Sequence, residues 1–133
     1  MENENTTEKK KASPVPALII IVIFAIIFAS CSISNNKWRV SKEKFKAWSE
    51  ETLELYGEQI SSYYVDGMYV GVYFNTESYD NATDRRRKAV MEEIVKLIRV
   101  NAYSSGIYKY GDVNVSFYRT QNDRIKMYTI KKE

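Results

Sequence analysis

Histidine is absent from the 133-residue chain and cysteine occurs once, at Cys31. Without histidine no Ser-His-Asp or Cys-His arrangement can form, and a single thiol cannot complete any of the usual zinc ligand sets. Whole classes of enzyme drop out, and no catalytic, metal-binding or cofactor-binding residue stands out. One cysteine also excludes an internal disulfide, while leaving the redox compartment open. Charge of one sign is missing as well. The 20 basic and 17 acidic side chains give a formal net charge of only +3 and are mixed along the length, so the footprint of a nucleic-acid-binding protein is not there. Proline and glycine are scarce, whereas Lys, Glu, Asn, Ile and Tyr are abundant, a bias that accompanies AT-rich coding sequence and points to a bacterial source.

The sharpest boundary lies near the N-terminus. Residues 1 to 11 form a polar leader that ends in Lys9, Lys10 and Lys11, and an uncharged stretch follows from Ala12 to Asn36. Every residue from Ala17 to Ala29 is apolar. With Val15, Pro16 and Ser30 to Ile33, the run reaches about nineteen residues, or about 28 Å as a helix, just enough to cross a bilayer. Its many β-branched residues do not argue against helix in that setting, because in hydrocarbon a lone strand cannot satisfy its backbone hydrogen bonds. The expected organisation is a cytoplasmic leader over 1–11, a membrane anchor or signal segment over 12–36, and one extracytoplasmic α+β domain over 37–133.

Two modes of attachment fit. The apolar helix can remain as a single-pass anchor, or it can be a signal removed before Cys31. The residues Phe28-Ala29-Ser30-Cys31 resemble the lipobox of bacterial lipoproteins, and that resemblance implies acylation of Cys31. Two departures count against it: Phe28 stands where leucine is usual, and the leader is long and carries three glutamates among residues 2–8 before its lysines. The retained anchor is the preferred mode. Flanking charge is nearly balanced, with Lys9 to Lys11 on one side and Lys37, Arg39 and Lys42 on the other. A long thiol-free domain following a first apolar segment favours an extracytoplasmic C-terminus.

Beyond the segment, Ser41 is placed to cap a helix whose buried stripe would be Phe45, Trp48, Thr52, Leu55 and Tyr56, with Val40 stapled onto Phe45 and Gly57 ending it. Ile60 to Val65 and Met68 to Phe74 read as strands around an Asp66-Gly67 turn. Val70, Val72 and Phe74 fall on one face of the second, with Tyr69 and Tyr73 on the other. A polar loop from Asn75 to Asp84 leads to a helix capped by Asp80 or Thr83 and running to about Asn101. Val90, Met91, Ile94, Val95, Leu97 and Ile98 form its buried face, and Glu92 and Lys96 its exposed i,i+4 pair. Asp112 to Arg119 and Arg124 to Lys131 alternate and read as a closing hairpin. The fold class is α+β: three or four strands in an antiparallel or mixed sheet, with two helices on one face.

The most unusual local feature is Arg85-Arg86-Arg87-Lys88 in the first turn of a helix, where the dipole already carries partial positive charge. The turn is a candidate anion site for a headgroup, an envelope polymer or an acidic partner. Its bland reading is a solvated turn neutralised by Asp80, Asp84, Glu92 and Glu93, in which case replacing Arg86 and Arg87 with glutamate stabilises the helix start. Tyrosine is the second feature: eleven occur, all beyond the apolar segment, fitted either to sheet faces or to an exposed aromatic row. The expected function is non-enzymatic: a membrane-anchored module that binds a protein or an anionic envelope component. The alternative is a small structural subunit of a membrane assembly. Partners are the membrane and an unidentified protein or polymer, without nucleic acid or a small-molecule substrate.

Cys31→Ser separates the two attachment modes, since acylation has no other acceptor. Retained membrane fractionation and an intact N-terminus by mass are expected. A mature wild-type mass beginning at a diacylglyceryl Cys31 would show instead that the segment is a cleaved signal.

Overall fold

A computed structural model describes residues 36–132. The apolar segment, the leader and Cys31 lie outside the described residues, within which no helix is long and apolar enough to cross a membrane. Trp38–Glu133 form one compact unit.

Helix α1 occupies residues 36–54, already underway five residues before Ser41. Ser41 is therefore an interior residue and not a cap, and Val40 is left 38% exposed instead of stapled. Nothing between 36 and 41 breaks a helix, and Trp38 packs against the core and meets the ring of Tyr110 edge-on at 5.0 Å. The buried stripe is Phe45, Ser49 and Leu53 at i, i+4 and i+8. Leu55, expected inside, is 79% exposed because the helix has ended. There the N–H groups of Leu55, Tyr56 and Gly57 bond to carbonyls three residues back, the tighter closure usual in a last helical turn.

Strands β1 (Ile60–Asp66) and β2 (Tyr69–Phe74) form an antiparallel hairpin in which Gly67 takes a φ of 60°. A tight two-residue connection demands that left-handed conformation. The segment expected to be a loop contains a short helix, α2 (Thr76–Asn81), started by Asn75, whose side chain accepts from the Ser78 N–H. It buries no residue, so no apolar periodicity announces it. Helix α3 (Asp84–Ser105) begins at Thr83, the cap, and outruns its expected end to stop at Gly106, which has a φ of 80°. Glu92 reaches back to Lys88 at 3.9 Å, whereas the sequence pattern suggested Lys96. A 3-10 turn (Ile107–Tyr110) leads into β3 (Val113–Thr120) and the antiparallel β4 (Asp123–Ile130).

The four strands lie in the order β1-β2-β3-β4, with β2 and β3 parallel. The sheet is thus mixed, and the chain must travel back along it between β2 and β3. Helix α3 makes that return, presenting Val90, Met91, Ile94, Val95, Ile98 and Ala102 to Val70, Val72 and Phe74 of β2 and Val113, Val115 and Phe117 of β3. Leu97, expected with them, is only partly buried.

The outward sheet face carries Tyr64, Tyr69, Tyr73, Tyr118 and Met127. Tyr73 stacks on Tyr118 at 4.7 Å, and Tyr64 tilts toward Tyr73 at 6.4 Å. Tyr64 lies across Gly71, where a Cβ would stand 1.9 Å from a ring carbon. The ring covers backbone that a side chain at position 71 would otherwise protect.

Gly71→Ala must push the Tyr64 ring aside, so a loss of about 1 kcal/mol or more in urea unfolding is expected for the wild-type background. In a Tyr64→Ala background the same change should be neutral or stabilising, because alanine then relieves the strand of glycine's entropy. Equal losses in both backgrounds would mean that the two residues are not coupled.

Candidate functional site

The N-terminal end of α3 is built by three elements. Helix α2 is pinned to the chain leading into β1: the Asn75 N–H donates to the Gln59 carbonyl at 2.7 Å, and the Ser78 hydroxyl to the Glu58 carbonyl at 3.1 Å. Just beyond, the β1 ladder shifts register between Ile60 and Ser62, and the Ser61 hydroxyl donates to the Tyr73 and Phe74 carbonyls. The Phe74 and Tyr79 rings then meet at 5.4 Å. A cavity of about 380 Å³ is left between α2, α3 and this entry to β1, lined by Gln59, Phe74, Ser78, Tyr79, Arg86, Arg87 and Val90 among others. Its lining combines the apolar and aromatic side chains of Phe74, Tyr79 and Val90 with the amide, hydroxyl and guanidinium groups of Gln59, Ser78, Arg86 and Arg87. That is the usual composition of a small binding cleft.

The four cations do not act together. Arg87 is turned inward, its Nε donating to the Tyr79 carbonyl at 2.7 Å and Nη2 to the Asp80 carbonyl at 3.2 Å. These carbonyls end α2, a helix with no basic residue in its last turn, so Arg87 supplies from α3 the positive charge that α2 lacks. Its Nη1 pairs with Asp84 at 3.1 Å and its guanidinium lies 4.2 Å over the Tyr79 ring. Lys88 is paired along α3 with Glu92. Arg85 is exposed and does not line the cavity. Of the four, Arg86 alone is both exposed and on the cavity wall, while Arg87 lines the cavity with its guanidinium already engaged by α2 and Asp84.

This arrangement reverses the expectation for a double glutamate substitution. At position 86 reversal would relieve dipole repulsion, but at position 87 it would put a carboxylate against two carbonyl oxygens and Asp84.

The acidic neighbours are also divided. Asp80 does not cap α3, and its carboxylate is engaged first by Arg119, with Arg87 of the basic turn a lesser electrostatic partner. It receives two hydrogen bonds from Arg119, Nε at 2.9 Å and Nη2 at 2.7 Å, in the two-pronged geometry that favours arginine over lysine. These bonds hold the Asp80 carboxyl below its ordinary value. Glu93 accepts the Tyr56 hydroxyl at 2.6 Å. Burial first, and then this carboxylate, push Tyr56 up to about 12, with the Arg86 charge opposing. Among the described residues no group of three or more His, Cys, Asp or Glu is placed to hold a metal ion.

The cavity itself was not legible from the sequence, since Gln59 and Ser78 carry no motif and α2 has no periodicity. Asn75 three residues before Ser78 was the one available signal for the short helix.

Asp80 is deprotonated more readily in the folded chain than in the unfolded one. Its pairing therefore contributes fully above the unfolded carboxylate value of about 3.9 and is lost as pH falls through the lower folded value. Asp80→Asn is expected to lower the urea midpoint at neutral pH and to converge with wild type once the pH falls below the lowered folded value of Asp80. A gap that persists in acid would mean that the contribution is not ionic. No family model matches this chain, and no curated protein or solved structure matches it.

Proposed function

We propose that this chain is a membrane-anchored, non-enzymatic module whose extracytoplasmic domain binds a protein segment or an anionic envelope component in the α2–α3 cleft. The observation that carries the reading is Arg86, an exposed guanidinium on the wall of a cavity lined in part by apolar and aromatic side chains. A carboxylate or phosphate can take one or two charge-assisted hydrogen bonds from it while an attached apolar group fills the space beside Phe74 and Val90. The anchor rests on the apolar run from Ala17 to Ala29, and the absence of histidine supports a binding role over a catalytic one.

Helix α3 puts distance between the cleft and the other end of the domain. Its 22 residues span about 33 Å, from the cleft at Asp84 to Ser105. There Gly106 adjoins Ser41, close in sequence to the apolar segment. The cleft and the Ser41 contact therefore lie at opposite ends of α3.

A second reading, a subunit of a larger membrane assembly, is favoured by the open sheet face, where Tyr69 is 60% and Met127 48% exposed. Such a face suits a protein partner.

The test of the cleft uses the full chain in detergent micelles, with a glycerol-phosphate polymer and a polyglutamate peptide as probes. Arg86→Glu is expected to weaken binding of the recognised probe by about tenfold or more, the worth of a charge-assisted hydrogen bond. Arg85→Glu, on the same turn but off the cavity wall, should change it little. Added salt should weaken wild-type binding. Equal binding by wild type and Arg86→Glu at every salt concentration would remove the cleft as the site.

A further inference from the structure

The end of the domain opposite the cleft collects features of another kind. Trp38 opens α1, and its ring is half-buried against Tyr110, which remains 41% exposed. Tyr110 closes the 3-10 turn that follows α3, so residues more than seventy positions apart in sequence meet at one corner. Lys109 directly precedes Tyr110, and Lys131 and Lys132 lie on the chain leaving β4, all three exposed. Against them stands Asp112. Asp112 is already engaged, accepting the Lys132 N–H at 2.7 Å and lying 3.8 Å from the Lys131 ammonium. The balance of the corner is positive, with two amphipathic rings at its centre.

That composition matches the water–hydrocarbon boundary of a bilayer. Indole and phenol rings settle there because one part is apolar and another forms hydrogen bonds, and lysines are drawn to anionic headgroups. The chain imposes the proximity: Trp38 follows Ile33, the last residue of the apolar run, by five positions. Five residues reach at most about 17 Å even when fully extended, so Trp38 cannot be far from where that run leaves the hydrocarbon.

From this composition and this tether, resting on the membrane attachment proposed above, we propose that the corner formed by Trp38, Tyr110, Lys109 and Lys132 seats on the anionic headgroups of the membrane that holds the apolar segment. The domain then stands upright: α3 leads away from the bilayer and the cleft faces outward. The open tyrosine face is directed sideways and stays free of lipid.

Upright seating makes different demands on two exposed positions. Ser104, in the last turn of α3, lies beside the corner. Asn122, in the β3–β4 turn, lies beyond the far end of β3, whose eight residues span about 26 Å. In the full chain carrying Cys31→Ser, single cysteines at Ser104→Cys or Asn122→Cys take a small fluorophore. Each protein is reconstituted in vesicles of equal parts phosphatidylcholine and phosphatidylglycerol, with a trace of lipid bearing a nitroxide on its headgroup. Quenching at 104 is expected to exceed that at 122 several-fold. Adding Lys109→Glu and Lys132→Glu should reduce quenching at 104, as should vesicles of phosphatidylcholine alone, while the circular dichroism spectrum stays unchanged.

Failure of the chain to float with vesicles would sink the membrane attachment itself and this seating with it. Flotation with equally weak quenching at both positions would overturn the seating alone, the domain then standing off on a free tether. Equal strong quenching at both would also overturn it, because the sheet face would then be lying on the lipid.

Discussion

Parallel pairing of β2 and β3 is the constraint on which the rest of the domain depends. Neighbouring parallel strands cannot be joined by a tight turn, and the chain must recross the whole sheet before the second can begin. Helix α3 makes the crossing, and its length is set by that task. It gives the sheet its apolar cover, since Ile94 and Ile98 are fully buried beside Val72, Val115 and Phe117. It also fixes two ends of unlike chemistry. Where α3 starts, α2 and the entry to β1 leave a cavity; where it stops, Gly106 turns the chain toward Tyr110 and Trp38.

The starting end is held by arginines used as structural fasteners. Arg87 ties the last carbonyls of α2 to the first turn of α3, and Arg119 of β3 grips Asp80 of α2 in two hydrogen bonds. A helix of six residues is too short to be stable from its own hydrogen bonds. External bonds at both of its ends, Asn75 and Ser78 at the first and Arg87 and Arg119 at the second, supply what its length cannot.

Legibility from the sequence followed periodicity. The alternation of Val70, Val72 and Phe74 and the stripe through Val90, Ile94 and Ile98 each repeat a pattern that local physics enforces, and each appears in the fold where the pattern put it. The hairpin turn falls one residue later than Asp66-Gly67, at Gly67 and Met68, with Asp66 ending β1. Helix α1 was placed correctly but misread in detail, because Ser41 looks like a cap in sequence and only the tertiary contact of Trp38 with Tyr110 makes the earlier turn worth forming. Leu55 looked like core because a helical count carried past residue 54 keeps it on the stripe. In the basic turn, composition showed four cations of one kind, yet their roles diverge according to partners that are distant in the chain or lie on α2. No local rule assigns Arg87 inward and Arg86 outward. Parallel pairing of β2 with β3 was equally hidden, since strand direction within a sheet is decided by the route of the connection and leaves no mark on either strand.

Among the described residues the sheet has two unpaired margins, β1 and β4, and both are spoiled as templates for another strand. The β1 ladder is offset around Ser61, and β4 carries the exposed Arg124 and Lys126 along its length, with the Lys126 ammonium 4.8 Å over the Tyr128 ring. Irregular spacing and repeated positive charge both oppose the edge-to-edge pairing by which sheets grow into polymers. If the domain is tethered to a membrane as proposed, copies collide far more often than in solution, and such margins preserve individuality. Crowded molecules can meet through their faces, but they are not led to fuse into a continuous sheet.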